Sequence, residues 1–149
     1  QPLRKIRNHK KEMIMRTKIA IVGSRVYTNN IKVKNFIFKL KEKYKDEVEI
    51  VSGGQPQGVD GYAKKYALEL DMVYKEFPPA HYTWNMHCVL PATEYKKPYY
   101  ISNYFKRNKQ VVDYSDIIVA FMPNGNETRG TMNTLNYAKR KKKLVKIMT

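Results

Sequence analysis

The sequence predicts an α/β domain with a mostly parallel sheet of about five strands and helices on both faces. Three observations carry this expectation. Short apolar runs alternate with stretches whose apolar residues recur at helical spacing, the pattern of strand–helix–strand units. Glycine-bearing turns follow several of the apolar runs. The chain has 149 residues and 42% hydrophobic content, enough for one domain with a real core and too much for disorder.

The elements follow in order. TKIAIVG, from Thr17 to Gly23, alternates weakly and then runs apolar, so it reads as a first strand buried on both faces. After the loop SRVYTNN, Val33, Ile37, Leu40 and Tyr44 fall on one side of a helix over 31–45. EVEIVS is a second strand, and SGGQPQGVD is its turn. Asp60 is placed to cap the next helix, whose inward face is Ala63, Tyr66, Ala67 and Leu70. MVYKEF is a short third strand, stopped by Pro78 and Pro79.

Residues 78–100 contain four prolines, scattered aromatics and no period, so a long functional loop is expected there. SNYFKRNKQVVDY, from Ser102 to Tyr114, reads as a helix, with Tyr104, Val111 and Val112 as packing positions. DIIVAF is the clearest strand of all. NGNETRGT is a second glycine-bearing turn, MNTLNYAKRKKK a helix with Met132, Leu135 and Ala138 inward, and LVKIM a fifth strand. Residues 1–15 read as a flexible basic arm and 16–149 as a single domain.

Composition narrows the partners. Twenty-nine Lys and Arg against 13 Asp and Glu give a formal charge of +16, which favours an anionic partner. Much of it sits in RKIRNHKK near the start and in the run Lys139 to Lys143. The latter ends a helix, where cations suit the dipole, and a nucleic-acid backbone is the other reading. No apolar run approaches the roughly 18 residues of a membrane span, so no membrane partner is expected. Cys88 is the only cysteine; a disulfide within the chain is excluded, and a reducing, cytoplasmic location is the natural expectation. His81 and His87 lack further ligands at good spacing, so no metal is expected, and nothing calls for a cofactor. Trp84, Tyr82, Tyr95, Tyr99 and Tyr100 either stack on a base or pin the long loop.

In an open parallel sheet, ligands bind beyond the carboxyl ends of the strands. The first strand delivers Gly23, Ser24 and Arg25 to that edge. The second delivers Ser52, Gly53, Gly54, Gly58, Val59 and Asp60, and the fourth leads to Arg129, Gly130 and Thr131. Glycines allow successive N–H groups to line one concavity, and a helix starting directly after adds partial positive charge. Arg25, Arg107 and Arg129 add guanidinium groups suited to phosphate. Ordinary strand-to-helix turns are the alternative for any single loop. Neither GxGxxG nor the Walker pattern GxxxxGK[ST] is present.

The series Gly23-Ser24-Arg25, Ser52-Gly53-Gly54, Gly58-Val59-Asp60, Phe77-Pro78, Arg107-Asn108 and Gly130-Thr131 spans nearly all of the chain after the arm. It resembles the SLOG superfamily, which joins the DNA-processing protein DprA/Smf with the "Lonely guy" (LOG) proteins. Within that group the likeness is to the small stand-alone DUF2493 proteins of bacteria and phages. The resemblance implies a Rossmann-like three-layer sandwich that binds a nucleotide or nucleotide-derived small molecule. It also implies that Ser52 to Asp60 and Gly130-Thr131 form the binding edge, with Arg107 and Asn108 reaching it from the preceding helix.

Two alternatives stay open. One is a LOG-type hydrolase of N-glycosidic or phosphoribosyl bonds. Those enzymes carry a glutamate where this sequence has Thr134, so Asp60 and Glu127 remain as candidate catalytic carboxylates. Asp60 is equally a helix cap. The other is DprA-like binding of single-stranded nucleic acid. Analogy with the fold allows a homo-oligomer.

Overall fold

A computed structural model describes residues 15–77, 101–123 and 129–149. Among them are five strands and four α-helices: β1 (Thr17–Gly23), α1 (Asn30–Tyr44), β2 (Val48–Ser52), α2 (Gly58–Glu69), β3 (Val73–Glu76), α3 (Ile101–Tyr114), β4 (Ile117–Phe121), α4 (Arg129–Arg140) and β5 (Leu144–Met148). The strands form one sheet in the order β3-β2-β1-β4-β5, and every pairing is parallel. This is the Rossmann-like layout expected from the sequence. The basic arm, the long proline-bearing loop with its aromatics and histidines, and Glu127 lie outside the described residues.

Alternation along the central strands separates two cores. Ile19 and Ile21 of β1, Ile50 of β2, and Val119 and Phe121 of β4 face Val33 and Ile37 of α1 and Val59 and Ala63 of α2. Ala20 and Val22, Val51, and Ile118 and Ala120 face Val111 and Val112 of α3 and Leu135 and Ala138 of α4. Burial on both faces explains why β1 and β4 are nearly continuous apolar runs. Phe121, fully buried, meets Tyr27 and Phe36 edge-on at 6.0 and 5.7 Å between ring centres.

Two helix starts differ from the sequence expectation. The N-cap of α2 is Gln57, which makes no side-chain capping bond, so Gly58, Val59 and Asp60 are already helical. Asp60 is therefore not the cap. It stands in the first turn, where a carboxylate also suits the helix dipole. Arg129, Gly130 and Thr131 likewise form the first turn of α4 and do not precede it.

Candidate functional site

The chain builds β1, β2 and β3 outward on one side, then crosses to place β4 and β5 on the other. The switch in strand order lies between β1 and β4, and a crevice opens beyond their carboxyl ends. A cavity of about 370 Å³ occupies it. Its walls come from the segment after β1 (Gly23, Ser24, Arg25), the segment after β2 (Gly53, Gln55, Gln57), α3 and the start of α4.

Close backbone packing brings these segments together. A Cβ on Gly23 would lie 2.4 Å from Val59 Cγ2 and 2.7 Å from the Phe121 carbonyl oxygen. Gly58, at φ +70°, leaves only 2.1 Å between such a Cβ and the Ser24 carbonyl oxygen. That carbonyl accepts the N–H groups of Tyr27 and Val59 at 3.3 and 3.2 Å. The β1 loop is thus tied to the start of α2, and only glycine fits the contact.

Arg107 and Asn108 clamp three segments. Arg107 Nη1 donates to the Gly53 carbonyl oxygen at 2.6 Å and lies 4.0 Å from Asp60 Oδ2. Its Nε donates to Asn108 Oδ1 at 3.0 Å. Asn108 Nδ2 in turn donates to the Gly130 carbonyl oxygen and to Asn133 Oδ1, at 3.4 and 3.3 Å. Arg107, Asn108 and Asp60 are all buried. Burial pushes the Asp60 carboxyl up to about 6, against the lowering effects of the Arg107 guanidinium and the Gln55 N–H, with Glu76 adding a small upward push.

Of the residues singled out in the sequence, Gly23, Ser24, Arg25, Gly53, Asp60, Arg107, Asn108, Arg129, Gly130 and Thr131 line the cavity. Ser52, Gly54, Gly58 and Val59 do not. Ser52 Oγ accepts the Gly54 N–H at 3.2 Å and donates to the Asp60 carbonyl at 3.3 Å, so it braces the loop. The N–H groups of Gly54, Gln55 and Val59 are engaged by Ser52, Asp60 and Ser24. The stretch from Ser52 to Asp60 is thus largely bonded to itself and to the β1 loop, unlike an open cradle of N–H groups.

Tyr104, Phe105, Val111 and Thr134 also line the cavity. Val111 packs in the core as the sequence indicated and also reaches the cavity, while Tyr104 had read as a packing position only; both lie three or four residues from Arg107 and Asn108 and share their helix face. That spacing was the available signal. Thr134, at the position of the absent glutamate, donates its hydroxyl to the Gly130 carbonyl at 3.1 Å. Among the described residues no group of three or more His, Cys, Asp or Glu is arranged to hold a metal.

Fold and cleft together define a parallel α/β protein of Rossmann-like architecture with a preformed pocket at its topological switch point. Solved structures of a molybdenum cofactor carrier protein from Chlamydomonas reinhardtii share the fold. One matches 89% of this chain and 76% of its own at a TM-score of 0.61 and 19% identity. A second covers the same shares at a TM-score of 0.58 and 18% identity. No family model matches the sequence, and no curated protein matches it.

Proposed function

We propose that the cleft binds a nucleotide or nucleotide-derived small molecule. The carrying observation is the cavity itself: about 370 Å³, at the switch point, lined by exposed Arg25 and Arg129 and by the first turn of α4. First-turn N–H groups have no partner within their helix, and the dipole adds partial positive charge, so this end receives the anionic group. Tyr104 and Phe105 line the same cleft, with the Arg107 and Arg129 guanidinium groups 5.5 and 5.9 Å from their ring centres. Likeness in fold to a carrier of a small cofactor supports a small ligand, and the resemblance of the motif series to SLOG proteins supports a nucleotide-like one.

Gly130 offers a clean test. Among the described residues, a Cβ there meets nothing within 4 Å. Gly130→Glu therefore keeps the fold while placing a negative charge at the anion end. Mass spectrometry of small molecules released by denaturation is expected to find a phosphorylated compound in the wild type. The variant is expected to retain about tenfold less, from one repulsive contact in a partly screened site. Equal amounts of the same compound in both proteins would overturn the reading.

A further inference from the structure

Two arginines reach the cleft from adjacent helices, and their surroundings differ. Arg107 of α3 is buried, and its N–H groups serve the Gly53 carbonyl and Asn108, with Asp60 Oδ2 4.0 Å away. Arg129 of α4 is exposed. Among the described residues its guanidinium is met by a ring and by no carboxylate: Cζ lies 5.9 Å from the centre of Phe105.

The helix does not call for Arg129. A cation in a first turn opposes the helix dipole, and α4 has no acidic residue in that turn to offset it. Phe105 does not serve the cores either. Half-buried on α3, it lines the cleft and belongs to neither apolar cluster. Folding alone accounts for neither residue, and the two meet at the wall of the cavity.

Their contact has a physical consequence. A ring attracts a guanidinium through its quadrupole and leaves the in-plane N–H groups able to donate. An unheld arginine surrenders rotamer freedom when it takes an anion, and one already held by a ring surrenders less. Phosphate oxygens match the guanidinium fork, so phosphate is the anion this pair suits.

We propose that Phe105 is a positioning residue for Arg129, holding its guanidinium ready for the ligand's phosphate. Affinity for the phosphate therefore depends on the ring, while contacts to the remainder of the ligand do not. This rests on the nucleotide reading above and adds to it the residue that prepares the anion end.

Calorimetric titration with the ribonucleoside 5′-monophosphates, their nucleosides and inorganic pyrophosphate tests both. Phe105→Leu, checked for folding by circular dichroism, is expected to weaken monophosphate binding about fivefold, the scale of one exposed cation–π contact. Phe105→Tyr keeps a ring and is expected to keep wild-type affinity. Arg129→Gln is expected to weaken binding about tenfold, the scale of a hydrogen bond to a charged group. In that background Phe105→Leu is expected to add less than about twofold, because the group it positions is gone. Nucleosides are expected to treat Phe105→Leu and wild type alike. Unchanged monophosphate affinity in Phe105→Leu, equal losses with and without Arg129, a loss shared by Phe105→Tyr, or a loss shared by the nucleosides would overturn the positioning role and leave the nucleotide reading standing. If no monophosphate binds the wild type, the nucleotide reading falls. Pyrophosphate then decides this inference, which stands if the same coupling to Arg129 appears and falls if it does not.

Discussion

Asp60 and Arg107 lie in α2 and α3, elements far apart in sequence, and meet under the cleft. The arginine side chain is as important for what it ties down as for its charge: its bond to the Gly53 carbonyl fixes the β2 loop. The carboxyl beside it is held at about 6 chiefly by burial, against an ordinary 3.8. Between those values the native state binds a proton that the unfolded chain has released. Stability from this group is therefore complete below about pH 4 and lost as pH rises through about 6, by about 3 kcal/mol in all. Other carboxylates titrate in the same range, so the contribution must be isolated by difference. Urea unfolding of the wild type and Asp60→Asn is expected to give a stability difference that shifts against the wild type by that amount from pH 4 to pH 7. A flat difference would mean that the carboxyl titrates normally.

The strands were legible because their causes are local and strong. The two-sided burial of β1 and β4 makes apolar runs that cannot be read otherwise, and β1 and β5 fall at Thr17–Gly23 and Leu144–Met148 as the pattern predicts. The start of α2 was not legible, because Asp60 resembles a cap in sequence while the helix begins at Gly58, which packs against the Ser24 carbonyl. The same distant contact engages the Val59 N–H that sequence reasoning had assigned to a ligand. Glycine count alone could not tell a packing glycine from an open one. Gly58 combines positive φ with a 2.1 Å approach to backbone, whereas a Cβ on Gly130 meets nothing within 4 Å among the described residues. Gly58→Ala is expected to cost at least about 2 kcal/mol through strain and displaced backbone. Gly130→Ala, in the first turn of α4 and so not in the helix interior, is expected to gain no more than about 0.5 kcal/mol. Chemical denaturation checks the pair, and similar effects at the two sites would contradict the packing described for Gly58.

At the scale of the whole molecule, the basic run that ends α4 and the cleft are separate features. The cleft lies at the N-terminal end of α4, and the basic run follows that helix out at its other end. Twelve helical residues separate the two by about 18 Å. Lys139, Arg140, Lys141 and Lys142 are all exposed there. Net charge read from composition could not reveal this division, because it depends on which end of the helix meets the sheet edge. Four exposed cations on a helix end can contact a nucleic-acid backbone, and they contribute little to a small ligand beyond a Debye length of about 8 to 10 Å. Any affinity for single-stranded DNA is therefore expected to depend on this run. Replacing the four residues by glutamine is expected to weaken such binding and to flatten its dependence on log salt concentration by up to about 3, while leaving retention of the small ligand unchanged. Gly130→Glu is expected to do the reverse. Fluorescence anisotropy across a salt series, set beside mass spectrometry of the retained ligand, reads both. If Gly130→Glu removed DNA binding and the glutamine variant did not, the cleft itself would be the nucleic-acid site, and the separation argued from the length of α4 would be refuted.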